Sequence, residues 1–203
     1  MAYATVAELA SHLGLSDAIN QSGQMVDATR NARYQLALDT ATSMIDQDTG
    51  RVFTSTVATK ALMSSGETLL MVPDLVSVST LKVDGDGDGT YETTLAAADY
   101  ELLSFNETHS GWPYQAIQRI DDHWPLPSWG GRRKLVQIAG TWGWSAVPSA
   151  IKQACLIMAA RQVARGNASL GVQGVSDFGP FSIRNNDPDY ANLIGPYRLM
   201  GIA

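Results

Sequence analysis

The residue pattern most typical of a chemical site is Asp84, Asp86, Asp88 and Gly89 in the segment DGDGDG. Carboxylates at alternate positions, with glycine at the sixth, match the first half of an EF-hand calcium loop. Such loops close with a bidentate glutamate at the twelfth position, where this chain has Leu95. Strand-like residues also stand where an EF-hand has helices. A hairpin turn is therefore favoured over a calcium site, and we expect neither a metal nor a cofactor.

The other residues that could do chemistry are the histidines and the single cysteine. Asp121, Asp122 and His123 are consecutive, but neighbouring residues of an extended chain point to opposite faces, so a solvated loop is favoured over a catalytic group. Cys155 lies in an apolar run, which favours a small buried residue, and one cysteine forms no disulfide. The chain contains no GxSxG, P-loop or HExxH motif. We expect no catalytic residues.

Tryptophans crowd around a basic run in the second half of the chain. They are Trp112, Trp124, Trp129, Trp142 and Trp144, and the run is Arg132, Arg133 and Lys134. The indoles could stack on nucleic acid or sugar, or they could fill a small β layer, which is favoured. The basic run is interpreted as a solvated strand edge, where its charges would discourage edge-to-edge pairing.

The elements that position these residues are organised around a helix predicted over 147–166. Pro148 suits its first turn, and Gly166 can adopt the left-handed conformation that ends it. Arg161 and Arg165 complement the negative end of the helix dipole. The helix is apolar on most of its circumference, so it must be covered on several sides. The chain could provide that cover alone, or a neighbouring subunit could contribute.

Helical patterns at both ends of the chain flank a strand-rich middle. Thr5 and Glu8 form a capping box for a short helix, and a longer helix is predicted over about 25–48. Extended segments are predicted at 52–63, 68–72, 76–84, 91–95, 100–105, 116–120 and 134–139. The expected fold is α+β, a small bundle of about four helices with a β-rich insertion between the second and third long helical parts.

This pattern divides the sequence into four parts. They are an N-terminal helical part (1–51), a β-rich insertion (52–142), a central helix completing the bundle (143–166), and a flexible arm with a C-terminal helix (167–203). Asp187 and Pro188 mark the start of the last helix. The glycine-rich arm has few large apolar groups, so it is expected to order on contact with a partner.

Composition limits the classes of partner. The 203-residue chain carries 14 basic and 20 acidic residues, a net charge of −6. Broad non-specific DNA binding needs a basic surface, so it is disfavoured, although an acidic wall would let DNA pass without sticking. We find no signal-peptide pattern and no apolar window of about 20 residues, so a protein without membrane contact, made in a cytosol, is expected.

Several short motifs follow one another from about Thr5 to Arg198. They are Ile45-Asp46…Thr49-Gly50-Arg51-Val52-Phe53, Asp99-Tyr100-Glu101-Leu102, Gly140-Thr141-Trp142-Gly143-Trp144, Val147-Pro148…Ile151-Lys152, Gly179-Pro180-Phe181-Ser182-Ile183 and Asp187-Pro188-Asp189…Tyr197-Arg198. Their order and spacing resemble the head–tail connector (adaptor) proteins of tailed bacteriophages.

The resemblance implies a structural virion protein without enzymatic activity. It implies a homo-oligomeric ring beneath the portal protein, with twelve copies to match the portal. Such a ring extends the DNA channel, lets double-stranded DNA pass non-specifically, and docks the next head-completion or tail protein. The protein would lie at the head–tail interface of the virion, and in the host cytoplasm during assembly. The alternative is a calcium- or carbohydrate-binding β module on a helical stalk.

Charge suggests which residues contact other subunits. Arg161 and Arg165 of one copy could meet Asp46 and Asp48 of another, in surface pairs of about 0–1 kcal/mol each. Further candidates for contacts are the arm and terminal residues Phe178, Phe181, Arg184 and Tyr197. Deletion of 166–203 is expected to leave a folded monomer that no longer docks onto portal-containing heads.

Overall fold

The chain folds as an α+β protein, as predicted. The computed structural model describes residues 2–15, 27–106, 111–129, 131–167, 172–176, 179–182 and 188–199. The chain divides into a helical unit, Met1–Arg51 with Val147–Ala203, and a β unit, Val52–Ala146. The four-part division of the sequence stays a prediction.

The helical unit contains four described α-helices. They are α1 (Val6–His12), α2 (Ala28–Thr49), α3 (Ser149–Asn167) and α4 (Pro188–Ile194), and a 3-10 turn, Gly195–Tyr197, follows α4. The predicted capping box opens α1, because the Thr5 hydroxyl accepts from the Glu8 amide and the Glu8 carboxylate accepts from the Thr5 amide. None of the described helices is long and apolar enough to cross a membrane.

The apolar surface of α3 is covered by helices of its own chain, since α1, α2 and α4 all contact it. Its buried residues include Ile151, Ala154, Cys155, Ala159 and Val163. A salt bridge of 2.8 Å joins Lys152 of α3 to Glu8 of α1, and the Lys152 ammonium holds the pKa of Glu8 below its usual value. No neighbouring subunit is needed to explain the apolar character of this helix.

The β unit is built on an antiparallel sheet. Its strands are β1 (Thr56–Leu62), β2 (Leu69–Val83), β3 (Thr93–Thr94), β4 (Tyr100–Leu103), β5 (Tyr114–Arg119) and β6 (Val136–Trp142). The order across the sheet is β1-β6-β2-β5-β4, and β3 pairs with β2. Side chains alternate between the faces, so Val136, Ile138 and Trp142 of β6 are buried in the core of this unit.

The two strands predicted at 68–72 and 76–84 are one long strand, β2. Pro73 lies where the pairing with β5 shifts register between Met71 and Leu75, and such an irregularity tolerates a residue without an N–H. Against β6 the register shifts between Leu75 and Ser77 and again between Val78 and Thr80. The buried positions accordingly change from Leu70 and Val72 to Leu81 and Val83, which have the opposite parity. The local pattern therefore indicated a break between two strands, whereas the structure has one strand with bulges at these positions.

The interpretation of Arg132, Arg133 and Lys134 as a strand edge is wrong. These residues form an exposed loop that leads into β6, and β6 lies between β1 and β2 inside the sheet. The basic run therefore does not protect a sheet edge against pairing with another strand.

In the arm, β7 (Val172–Ser176) and β8 (Gly179–Ser182) pair as an antiparallel two-stranded sheet. The prediction that the arm orders on contact with a partner is untested. Asp187, the predicted cap of α4, lies outside the described residues.

Gly143 holds the tightest backbone approach in the β unit. Its φ is +94°, and a Cβ atom there would lie 2.0 Å from the carbonyl oxygen of Thr54. Gly87, with φ +81°, is a matched control, because the nearest atom to its Cβ position is a Leu135 methyl carbon at 4.0 Å. The two sites share the left-handed conformation and differ in crowding.

Gly143→Ala should therefore lower the free energy of unfolding by about 3 kcal/mol, from left-handed strain plus a backbone clash. Gly87→Ala should lower it by about 1 kcal/mol, from strain alone. Urea unfolding followed by circular dichroism measures both values. Equal losses would show that the approach of Thr54 to Gly143 is not a constraint of the fold.

Candidate functional site

The acidic turn between β2 and β3 is held by its own first carboxylate. Asp84 is fully buried, and its two oxygens accept the amide protons of Gly87 at 2.6 Å and Gly89 at 2.9 Å. The amide of Asp84 donates to the carbonyl of Leu135 at 2.9 Å. The buried charge is thus compensated by directed backbone donors.

The other carboxylates of the turn are exposed. Asp86, Asp88 and Glu92, with Asp84, each place a carboxylate oxygen within 4.8 Å of the others, a grouping that could hold a metal ion. Asp86 accepts from the amide of Asp88, and Asp88 accepts from the amide of Thr90 at 2.6 Å, which lowers the pKa of Asp88. These carboxylates serve as backbone acceptors, so the geometry supports the hairpin turn without requiring a cation.

The segment containing Asp121, Asp122 and His123 is exposed and does not form a relay. The carboxylate of Asp122 accepts from the guanidinium of Arg119 and from the backbone amide of His123. The Arg119 guanidinium in turn lies 5.6 Å from the ring centroid of Trp124. Asp122 therefore anchors a cation that stacks on an indole, a structural arrangement.

The tryptophans mostly fill the β unit, as the favoured interpretation predicted. Trp124, Trp142 and Trp144 are buried, and the Trp142 indole donates to the carbonyl of Ala58 at 2.9 Å. Trp144 packs with its ring centroid 5.0 Å from that of Trp112. Trp129 is different, because it lies fully exposed in the loop between β5 and β6.

The best-defined polar site of the helical unit is the C-terminal end of α2, where the C-terminal segment of the chain returns. Gly50 ends α2 in the left-handed conformation. The buried guanidinium of Arg51 donates from Nε to the carbonyl of Tyr197 at 2.8 Å. The amide of Leu199 donates to the carbonyl of Thr49 at 2.9 Å, which satisfies one of the carbonyls that a helix end leaves open.

Two predicted contact residues, Asp46 and Asp48, belong to this helix end and already have partners within the chain. The Tyr3 hydroxyl donates to Asp46, whose pKa is raised by burial against the lowering effect of that bond. The Tyr190 hydroxyl donates to Asp48 at 2.7 Å, and burial, then this bond, raises the pKa of Tyr190. A pairing of these carboxylates with another copy would share oxygens that the phenols use.

The other predicted contact residues are spread over the helical unit. Arg161 is partly exposed and Arg165 exposed on α3, so their pairing with Asp46 and Asp48 of a second copy stays a prediction. Tyr197 contributes its carbonyl to the α2 end. Phe181 lies in β8, of which the backbone is described, and Phe178 and Arg184 lie outside the described residues.

The contacts of the C-terminal segment alter the expected effect of its deletion. Tyr190 and Ile194 of α4 are buried, and Arg51 is closed by Tyr197. Removal of 166–203 would therefore uncover part of the core of the helical unit and should destabilise it, so whether the truncated chain is a folded monomer stays a prediction. The sequence predicted a helix after Asp187 and Pro188 but did not indicate that this helix contributes to the core.

Comparison with solved structures shows the same fold in a particle protein. The structure is similar to a chain in the neck of an empty GTA particle computed with C6 symmetry, and the similarity covers 99% of this chain and 92% of the neck chain. The TM-score is 0.57 and the sequence identity 22%, so the similarity is one of fold. No protein-family model and no curated protein sequence matches the chain.

Asp84→Ala should destabilise the protein by about 2–4 kcal/mol, because it leaves two amides of the turn without their charged acceptor. Asp86→Ala is the matched control, since Asp86 is exposed in the same turn, and its effect should stay within about 0.5 kcal/mol. Thermal and urea unfolding measure both. Calcium should leave the melting temperature of the wild type unchanged; stabilisation that Asp84→Ala abolishes would favour the metal-binding alternative.

Proposed function

We propose that this protein is a structural subunit of a particle neck, a head–tail connector that assembles into a ring beneath the portal. The observation that supports it most is the fold shared with a neck chain over nearly the whole length of both chains. Both units of this protein take part in that similarity, including the β unit that sequence analysis treated as an insertion. The order of short sequence motifs points in the same direction.

The ring is proposed to contain twelve copies. The similar neck was computed with C6 symmetry, and both six and twelve copies satisfy a six-fold operator. A repeated head-to-tail contact closes when its rotation divides the circle, so one interface per subunit is sufficient. Twelve copies match a twelve-fold portal without a change of symmetry.

The proposed role is mechanical and electrostatic, without catalysis. The ring extends the DNA channel from the portal and presents a surface to the next head-completion or tail protein. A net charge of −6 suits a channel subunit past which double-stranded DNA must slide, because like charge prevents sticking. Assembly in the host cytoplasm and residence in the virion follow from this role.

The binding-module alternative has less support from the geometry. Carbohydrate recognition needs a strip of exposed indoles, whereas Trp124, Trp142 and Trp144 are buried. Calcium recognition needs carboxylate oxygens pointing at an ion, whereas both oxygens of Asp84 accept backbone amides.

Purified full-length protein mixed with purified portal rings should add a ring of density to one end of the portal in negative-stain micrographs. A variant in which 168–187 is replaced by a Gly/Ser linker of equal length should keep the helical unit folded, because α4 and the α2 end are retained. It should dock less well, because the arm no longer contributes contact area to the neighbour or portal.

The wild type and the linker variant are compared by circular dichroism and by the fraction of decorated portals. Undecorated portals with folded wild-type protein would contradict the proposed function. Equal decoration by both proteins would remove the arm from the docking surface and leave the connector role in place.

A further inference from the structure

One end of the β unit exposes a cluster of large apolar and cationic side chains, here called the exposed tip. Its members are Met63, Leu126, Trp129, Arg133 and Lys134. The side chains of Met63, Leu126 and Trp129 are 65%, 76% and 105% exposed. Met63 and Leu126 flank the hydrogen-bonded pair Ser64 and Pro125, and Trp129 lines a cleft with Ser64. Single exposed apolar residues are ordinary, but exposed apolar residues in one region mark an interaction surface.

The exposed tip is built on a fixed backbone. The Ser64 hydroxyl donates to the carbonyl of Pro125 at 2.5 Å, and the Ser64 amide donates to the carbonyl of Arg133 at 3.0 Å. Leu126 lies so close over Gly66 that a Cβ there would be 2.7 Å from its methyl carbon. These contacts tie the turn after β1 to both ends of the loop between β5 and β6.

The backbone that carries the cations of the exposed tip is anchored at Arg132, which precedes them, and at Lys134. The guanidinium of Arg132 lies against Gly89 of the acidic turn, 2.5 Å from the position that a Cβ would take. The Lys134 carbonyl accepts from the Tyr91 hydroxyl at 2.9 Å. Arg133 and Lys134 therefore project from an anchored backbone, and Arg133 lines with Trp129 an open cleft of about 530 Å³.

Charge distinguishes the exposed tip from the rest of this unit. Among the residues of the β unit that the structure describes, the exposed lysines and arginines are the consecutive Arg132, Arg133 and Lys134. The exposed carboxylates, by contrast, are spread widely: Glu67, Asp86, Asp88, Glu92, Glu101, Asp121 and Asp122. The β unit of a second copy therefore offers exposed carboxylates as partners for the cations of the exposed tip.

We propose that the exposed tip binds the acidic β-unit surface of a second copy, and that this contact, repeated head to tail, closes the ring. The inference rests on the proposed function and names its subunit interface. Trp and Arg are the residues that dominate protein–protein hot spots, with a surrounding apolar and small polar rim. Cations steer the encounter, while burial of Trp129, Leu126 and Met63 supplies the affinity.

Protein is favoured over DNA as the occupant because duplex DNA is held through its phosphates, which use cations but leave exposed Met, Leu and Trp side chains without a role. DNA binding is retained as an outcome of the test. The occupant is a copy of this chain because the complementary acidic surface is its own.

The test uses full-length protein, alone and with portal rings, in sedimentation velocity and mass photometry over a concentration series. Trp129→Ala should weaken self-association roughly 30-fold or more, as expected for a hot-spot tryptophan. The double variant Arg133→Glu, Lys134→Glu should also weaken self-association, and the loss should grow as the salt concentration is lowered, because repulsion between carboxylates is then screened less. Val57→Ala is the matched control, because Val57 is an exposed apolar residue of β1 outside the exposed tip.

A second readout follows burial at the exposed tip directly. Trp129 is fully exposed, Trp112 is half-buried and the other three tryptophans are buried. Iodide should therefore quench mainly Trp129 emission in the monomer and lose access to it on association. Trp129→Phe should remove this change while keeping an aromatic ring at the interface. The assay is independent of ring morphology.

Self-association of Trp129→Ala and the charge-reversed variant at wild-type strength would overturn the inference, as would an equal loss in Val57→Ala. Loss of portal docking or of binding to a short DNA duplex, with self-association intact, would assign the exposed tip to another partner and overturn it too. If the wild-type protein forms rings that do not bind the portal, the proposed function would be contradicted, while the assignment of the exposed tip would stand.

Discussion

The closure of the α2 end is the constraint on which the helical unit depends. A helix leaves its last carbonyls without partners, and here the chain must also leave the unit at Arg51 and return at Val147. The buried guanidinium of Arg51 is satisfied by a carbonyl 146 residues later, and Leu199 supplies a donor to Thr49. The first and last parts of the chain therefore form one helical unit, and the β unit lies between them in the sequence.

That closure changes where a partner can bind. The sequence left open whether the apolar circumference of α3 is covered by its own chain or by a neighbouring subunit, and α1, α2 and α4 cover it. Asp46 and Asp48 looked available for intersubunit pairs, but Tyr3 and Tyr190 donate to them. Exposed apolar side chains remain elsewhere, and in the β unit the most exposed of them, Trp129, belongs to the exposed tip.

Local rules predicted the elements that local physics determines. The capping box of α1, the existence of α3 and the strand character of 52–142 follow from side-chain spacing and hydrogen-bonding chemistry. The predicted end of α3 at Gly166 is wrong, because the helix continues through it to Asn167. The continuity of β2 through Pro73, the interior position of β6 and the return of Tyr197 to Arg51 depend on contacts between residues far apart in sequence. The exposure of Trp129 could not be predicted either, because composition does not distinguish a tryptophan of the core from one on the surface.

The central claim is that this chain is a ring-forming component of a particle neck. Cryo-electron microscopy of particles carrying the chain with an N-terminal affinity label tests it most directly. The account predicts label density in a closed ring on the portal side of the neck, with the fold described here fitting each repeat. Label distributed over the head or tail, or absent from complete particles, would contradict it.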